Sequence, residues 1–282
     1  MIAKSLSFLT SDQVRLNYLE VGSGAPLIMI PGWSQTAEQY KFQIQELSAN
    51  YRCFALDMRG HGASDKPEHG YSVHRLAKDV SEFLTQLKLD NVTLLGWSMG
   101  CSIIWAYWEL FGAERLAKLI LVDEAPFIAS NPAWSPEELA NAGGIVPPEA
   151  ITEMYNAIAS LDEEAGEATR ANLISGMLTP DCPAELKQWI LACNTQLPLK
   201  HAAALLYNHC HQDWRSIIPR INIPTLVIGG RISLVPWRSV EWVANQIPNA
   251  RLEIFEEDEG GQHFMFLENP QKLNRLVAEF IG

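Results

Sequence analysis

Short apolar runs alternate with amphipathic stretches along the first half of the chain. Residues 14–21 alternate apolar and polar side chains, which predicts a half-buried strand. Short, mostly apolar runs predict further, buried strands at 27–30, 52–56, 92–95 and 119–122. Apolar positions spaced three or four residues apart predict helices at 36–48, 72–87 and 101–111. This alternation favours an α/β fold with a mostly parallel central sheet flanked by helices.

The pattern changes between residues 127 and 219. Strand-like runs stop, Pro and Ala become frequent, and helical pieces are predicted at about 136–141, 148–160, 163–178, 183–193 and 198–208. Strand-like runs return at 225–228 and 251–255, and a closing helix is predicted at 270–281. We therefore predict a core domain made of residues 1–126 and 220–282, with residues 127–219 inserted as a helical cap.

Composition and charge narrow the class of protein. Hydrophobic residues make up 48% of the 282 residues, enough to bury a substantial core. The net charge of −12 argues against nucleic acid and anionic membrane surfaces as partners, and it suits a monomer or homodimer. Without a membrane-spanning apolar stretch or a secretory signal, the expected location is the cytoplasm. The five cysteines have neither the pairing of a disulfide framework nor CxxC metal spacing.

A serine motif lies between a predicted strand and a predicted helix, at Gly96-Trp97-Ser98-Met99-Gly100. A sharp turn of this kind raises the central side chain out of the sheet, and the flanking glycines allow the backbone to pass closely. The helix N-terminus offers free N–H groups to a developing oxyanion. The alternative is a structural turn without chemistry, because the motif alone is weak evidence.

Three further segments accompany this motif in order along the chain. They are Pro31-Gly32-Trp33, the D-x-R-G-x-G-x-S loop at 57–64, and Gly260-Gly261-Gln262-His263-Phe264. Together the four segments resemble the α/β-hydrolase family over nearly the whole chain, although Pro31 stands where the family has His. The branch most similar in style contains cofactor-free esterases, haloperoxidase-like enzymes and lactonases. The resemblance implies no cofactor.

The resemblance implies a role for each matching position. Ser98 would be the nucleophile and His263 the base, with the backbone N–H groups of Trp33 and Met99 as oxyanion donors. The residues support this independently, since Ser needs an adjacent base and His263 follows a strand at the sheet edge where such sites form. His61, in the loop after Asp57, is interpreted as structural.

The acid is where the chain departs from the family. Its usual position is occupied by Ile232, which cannot orient an imidazole. The family's alternative, an acid after the preceding strand, leaves Asp123 and Glu124. Side chains alternate along a strand, so only one of the two can face His263, and we favour Asp123. Two other possibilities stay open: Asp123 only caps its loop, or the site lacks an acid, at a cost of about 10⁴ in rate.

Aromatic and Met side chains predict an apolar substrate pocket. The candidates, which core packing would explain about equally well, are Trp33, Trp97, Phe127, Trp134, Met154, Trp237, Trp242 and Phe264. The spacing of His209, His211 and Asp213 does not complete a ligand set, so no metal site is predicted.

The sequence therefore predicts a serine hydrolase that cleaves a small apolar carboxylic ester or lactone through an acyl-enzyme. An alternative on the same fold is a cofactor-free oxygenase or a perhydrolase, because Ile232 stands where the family usually has its acid. A non-catalytic binding protein is a third hypothesis, and the presence of Ser98 and His263 argues against it.

Overall fold

A twisted sheet of eight strands forms the centre of the molecule, for which a computed structural model describes residues 3–282. The strands of the described residues are β1 (Lys4–Leu9), β2 (Arg15–Val21), β3 (Ala25–Ile30), β4 (Tyr51–Leu56), β5 (Val92–Trp97), β6 (Leu116–Val122), β7 (Phe127–Ala129), β8 (Gly143–Val146), β9 (Thr225–Gly230) and β10 (Arg251–Phe255). The main sheet has the order β1-β2-β4-β3-β5-β6-β9-β10. The pairs β1–β2 and β2–β4 are antiparallel, and the other pairs are parallel.

Helices cover both faces of this sheet, so most residues of its central strands are buried. Residues 27–30 of β3 have no exposed surface, as their uninterrupted apolar run predicts. The first three helices are α1 (Lys41–Leu47), α2 (Val73–Gln86) and α3 (Met99–Phe111). The Ser72 hydroxyl caps α2 by accepting from the Arg75 N–H, and α2 packs against α3. The predicted α/β class with a mostly parallel sheet is thus confirmed.

The segment of residues 127–219, all of which the structure describes, adds no strand to the main sheet. It contains α4 (Pro136–Ala142), α5 (Pro148–Ile158), α6 (Glu163–Ser175), α7 (Ala184–Asn194) and α8 (Leu199–Cys210). The prediction for this segment named helices alone and missed β7 and β8, which pair in a small parallel sheet. These strands have three and four residues, too few for periodicity to reveal. We call this segment the insertion; its status as a separate cap domain stays a prediction.

The chain after the insertion adds the last two strands, β9 and β10, to the main sheet. Helix α9 (Trp237–Gln246) packs against β9, α10 (Met265–Glu268) is a single turn, and α11 (Pro270–Ile281) packs against α1. None of the helices in the described residues has the length and apolar character that a bilayer crossing requires.

The register of the parallel strands brings several strand ends to one edge of the sheet. Ile30 lies beside Gly96 in neighbouring strands. Trp97 lies beside Val122, which in turn lies beside Ile228. The loops that follow β3, β5, β6 and β9 therefore begin at the same level, the arrangement in which parallel sheets form their sites.

Candidate active site

Ser98 occupies a strained turn between β5 and α3. Its backbone has φ 53° and ψ −129°, a conformation that costs about 1–3 kcal/mol in a residue with a side chain. Both motif glycines are required by close packing. A Cβ on Gly96 would lie 2.5 Å from the Gly100 carbonyl carbon, and one on Gly100 would lie 2.4 Å from the Ile30 oxygen. The turn is thus packed around Ser98 so that the hydroxyl stands at the sheet edge.

A buried imidazole lies within hydrogen-bond distance of this hydroxyl. His263 Nε2 is 2.9 Å from Ser98 Oγ, and His263 Nδ1 is 2.7 Å from Asp123 Oδ2. Because a carboxylate only accepts, Nδ1 carries the proton and Nε2 is left to receive the hydroxyl proton. The Trp97 indole N–H donates to the His263 carbonyl oxygen at 2.8 Å, which fixes the loop that carries the ring.

Asp123 is completely buried and held by its neighbours on the sheet edge. Its Oδ1 accepts from the Gly230 N–H at 3.1 Å, and its Oδ2 accepts from the Ser233 hydroxyl as well as from His263. Burial raises the pKa of the Asp123 carboxyl, while these hydrogen bonds oppose the rise. The sequence did not predict a role for Ser233, although this residue follows Ile232, where the family's acid was expected. The structure brings Ser98, His263 and Asp123 together.

Glu124, the alternative acid, faces a different histidine. Its Oε2 lies 3.2 Å from His209 Nε2, and its Oε1 accepts from the Ala125 N–H at 2.8 Å. His209 comes from α8 of the insertion and is as buried as Glu124. Among the hydrogen bonds of the described residues, none joins Glu124 to His263, in keeping with the alternation of side chains at the end of β6.

The loop after β3 lies against the serine. A Cβ on Gly32 would come within 2.6 Å of the Trp97 ring and 3.1 Å of Ser98 Cβ, so only glycine allows this approach. The backbone N–H groups of Trp33 and Met99 donate to no acceptor among residues 3–282. Met99 is the first residue of α3, where N–H groups are free and the helix dipole is positive.

His61 holds this loop from the side of the core. Its Nδ1–H donates to the Arg59 carbonyl at 2.9 Å, and its Nε2 accepts from the Ser34 N–H at 3.2 Å. Complete burial lowers the pKa of His61 to about 4, so the ring stays neutral and Nε2 stays an acceptor. Ser34 has φ +63°, and its hydroxyl donates to the Asn194 carbonyl at 2.7 Å. A strained loop is therefore fixed both by the core and by α7.

Comparison with known proteins agrees with the fold. A family profile described as alpha/beta hydrolase fold matches residues 25–270. The chain belongs to the α/β-hydrolase family. The resemblance inferred from the four sequence segments is thereby confirmed.

Known members of the family match this hydrolase along nearly its full length. The AB hydrolase superfamily protein YisY of Bacillus subtilis is 28% identical, over 96% of this chain and 97% of that protein. The non-heme chloroperoxidase CPO-A1 of Kitasatospora aureofaciens is 27% identical, over 97% and 98%. The solved structure of the esterase EaEST from Exiguobacterium antarcticum has a TM-score of 0.88 and 26% identity, over 99% of both chains.

A cavity of about 120 Å³ lies beside Ser98 and His263 in this hydrolase. Most of its wall is apolar, with Trp33 and Trp97 from the core and Ile128, Ile145, Val146 and Met154 from the insertion. Of the predicted pocket residues, Trp33, Trp97 and Met154 line this cavity. Leu173, Met177 and Leu234 also line an open surface depression, so the cavity and this depression share part of their walls.

Phe127 and Trp134 lie outside the cavity, contrary to the prediction. Their rings pack edge to face at 5.6 Å, and the Arg215 guanidinium lies 4.6 Å from the Trp134 ring. Alternation along β7 turns Phe127 away from the cavity and turns its neighbour Ile128 towards it.

Trp237, Trp242 and Phe264 are also absent from the cavity wall. The Arg231 guanidinium lies 4.4 Å from the Trp237 ring at the start of α9. Phe264 has no exposed surface, and its ring packs 4.8 Å from that of Trp97 in the core. Core packing, the alternative considered for these aromatic residues, applies to Phe264.

The described residues contain no group of three or more His, Cys, Asp or Glu arranged to hold a metal ion. The three residues with suggestive spacing have separate partners. His209 contacts Glu124, His211 Nδ1–H donates to the Tyr207 carbonyl, and Asp213 pairs with an arginine.

Proposed function

We propose that the protein is a serine hydrolase that cleaves carboxylic esters or lactones through an acyl-enzyme. The observation that supports this most is the continuous hydrogen-bond chain from Asp123 through His263 to Ser98, with distances of 2.7 and 2.9 Å. This series of hydrogen bonds ends at Ser98, which lines a cavity with mainly apolar walls, and such a cavity suits a small apolar substrate.

Acylation begins when Ser98 Oγ attacks the carbonyl carbon and its proton passes to His263 Nε2. Asp123 stabilises the imidazolium and holds the ring in the required tautomer. The N–H groups of Trp33 and Met99 bind the oxyanion, and each such donor is worth about 10²–10³ in rate. His263 then returns the proton to the leaving alcohol, and the acyl group stays on Ser98.

Deacylation repeats these steps with water as the nucleophile. His263 Nε2 takes a proton from the water, whose oxygen attacks the acyl carbon. The second tetrahedral intermediate expels Ser98 Oγ, which recovers its proton from His263. A lactone follows the same route, except that its alcohol stays attached to the acyl group. The likeness to an esterase supports this chemistry.

The insertion completes the site in this proposal. Most of the apolar wall residues belong to it, and it also fixes the loop that carries the Trp33 N–H, since the Trp33 indole N–H donates to the Ala202 carbonyl at 2.8 Å. We therefore propose that residues 127–219 act as a cap domain over the sheet edge.

Labelling by a fluorophosphonate tests the nucleophile, and hydrolysis of p-nitrophenyl butyrate tests the activity. Ser98→Ala should abolish both. Ser102→Ala is a matched control, one helical turn further along α3, where the hydroxyl accepts from the Trp214 indole at 3.1 Å. It should keep both. Turnover that survives in Ser98→Ala would contradict the proposal.

A second candidate is transfer of the acyl group from Ser98 to hydrogen peroxide, which yields a peracid in place of the acid. The similarity to a non-heme chloroperoxidase over almost the whole chain favours it. Asp123 supplies the carboxylate that Ile232 does not, so the departure at Ile232 no longer favours an oxygenase. Bromination of monochlorodimedone by enzyme, acetate, bromide and peroxide detects the peracid, and Ser98→Ala should abolish it.

A further inference from the structure

One part of the cavity wall is polar. Gln35, Glu124 and His209 line it, and each is less than 5% exposed. Neither the amide nitrogen nor the oxygen of Gln35 has a hydrogen-bond partner within residues 3–282, and His209 Nδ1 also lacks one. Gln35 is the one side chain of the described part in which two buried polar atoms are both without a partner.

Unpaired polar atoms of this kind are unfavourable in a folded protein unless water or a ligand satisfies them. A buried donor or acceptor without a partner loses its hydration and gains nothing in return. The other side chains with such atoms, Gln39, Gln43 and Asn274 among them, do not line the cavity. Within the cavity wall, therefore, the unsatisfied polar atoms belong to Gln35 and His209 alone among the described residues.

The charge and donor pattern of this wall selects the kind of group that fits. Glu124 Oε1 accepts from the Ala125 N–H, and Glu124 Oε2 lies 3.2 Å from His209 Nε2, so Nδ1 is the ring nitrogen of His209 that has no partner among the described residues. Gln35 adds one acceptor oxygen and an amide nitrogen with two donor hydrogens. An uncharged group with both a donor and an acceptor matches this set, whereas a carboxylate would face the Glu124 carboxylate.

Gln35 is also placed to act on the reaction, because it shares a turn with an oxyanion donor. Its backbone N–H donates to the Gly32 carbonyl at 3.4 Å, and Trp33 lies within that turn. Trp33 and Gln35 line the cavity on either side of Ser34, whose hydroxyl points to α7. A group bound to Gln35 would thus help to orient the reacting carbonyl.

We propose that Gln35, together with the Glu124–His209 pair, binds an uncharged hydrogen-bonding group of the ester substrate, a carboxamide or a hydroxyl remote from the reacting carbonyl. This inference rests on the proposed esterase function. The apolar walls hold the carbon chain that joins the two ends of the substrate, and the polar wall selects its far end.

Matched ester series test the proposal. The esters end in a carboxamide, a hydroxyl, an isopropyl group of similar shape or a carboxylate, with about two to six methylenes before it. One series carries the group on the acyl chain of a p-nitrophenyl ester, and the other on the alcohol of an acetate. At the best length, kcat/KM for the carboxamide or hydroxyl ester should exceed that for the isopropyl ester about tenfold or more, with the carboxylate slowest.

The ratio of kcat/KM between the polar and the isopropyl ester should fall to about one in Gln35→Leu. Gln35→Met serves the same purpose if the Leu variant does not fold. The control is Gln39→Leu, since Gln39 is a buried glutamine of the same segment outside the cavity, and it should keep the wild-type ratio. His209→Phe should lower the ratio as well.

A ratio near one in the wild-type protein at every length of both series would overturn the inference, and so would a ratio unchanged in Gln35→Leu. Fluorophosphonate labelling of Ser98 separates this failure from that of the proposed function. An enzyme that is labelled and hydrolyses esters without the preference contradicts the polar subsite alone. An enzyme that is neither labelled nor active on any ester contradicts both.

Discussion

Two buried pairs of histidine and carboxylate stand side by side at the end of β6, and they belong to different regions of the molecule. Asp123 and His263 join two loops of the sheet edge, whereas Glu124 and His209 join the sheet edge to the insertion. The first pair reaches the Ser98 hydroxyl, and the second faces the cavity. In each pair one nitrogen of the imidazole lies against a carboxylate. The group next to the other ring nitrogen therefore decides what each pair can do.

The two pairs also differ in how firmly they are held. Asp123 accepts from Gly230, Ser233 and His263, so strand register and the loop after β9 fix its carboxylate. Glu124 accepts from the Ala125 N–H, its Oε2 lies 3.2 Å from His209 Nε2, and the position of His209 depends on how α8 packs. We therefore expect changes at the first pair to affect the reaction itself and changes at the second to affect substrate choice.

The largest expected difference is between the two carboxylates. Asp123→Asn should lower kcat for p-nitrophenyl butyrate by about 10⁴, because the amide cannot hold the required tautomer or stabilise the imidazolium. Glu124→Gln should lower it far less, since Glu124 makes no hydrogen bond to His263. Steady-state kinetics of both variants decide the matter, and a larger loss in Glu124→Gln would make Glu124 the acid.

A third buried histidine extends the comparison to stability. His61 has a pKa of about 4 in the folded protein against 6.5 for an ordinary histidine. Below pH 6.5 the His61 imidazole therefore binds a proton in the unfolded chain but stays neutral in the folded protein. The free energy of unfolding falls as the pH is lowered to about 4. The share due to His61 is roughly 3 kcal/mol.

Urea unfolding at pH 7, 5.5 and 4 measures this effect. His61→Gln, which can still donate to Arg59 and accept from Ser34, should lose roughly 3 kcal/mol less than the wild type between pH 7 and 4. Parallel losses in the two proteins would show that His61 is not held neutral.

Ser233 offers a smaller test of how Asp123 is positioned. Its hydroxyl donates to Asp123 Oδ2, a bond that lowers the pKa of this carboxyl against the effect of burial. Ser233→Ala should reduce kcat about tenfold and move the acid limb of kcat/KM to higher pH. Ser233→Thr, which restores the hydroxyl, should reverse the shift in the pH profile. An unchanged profile in Ser233→Ala would mean that this bond does not support the site.

The strands and helices were predictable where burial gives a strong pattern and missed where it does not. Residues 27–30 are apolar because both faces of β3 are covered. In β1 at the sheet edge only Phe8 is buried, so the apolar signal is weak. Helix α9 was missed although Val240, Val243 and Ala244 lie on one face, a spacing that could have revealed it.

The site was predictable only as far as backbone position determines it. Ser98, His263 and Asp123 follow strands, so a parallel sheet places them at one edge whatever surrounds them. The cavity walls depend instead on where side chains point and on how the insertion packs. The local sequence determines neither of these. This is why Trp237 was predicted to line the cavity and lies elsewhere, while His209 was not predicted and lines it.

Trapping the acyl-enzyme tests most directly whether Ser98 is the nucleophile. Asp123→Asn is mixed with p-nitrophenyl butyrate and quenched in acid, and the intact mass and its peptides are then measured. We expect a protein heavier by one butyryl group, located on the peptide that contains Ser98, with one p-nitrophenolate released for each group bound. Hydrolysis that proceeds with no acyl group on Ser98, or with the group on another side chain, would contradict it.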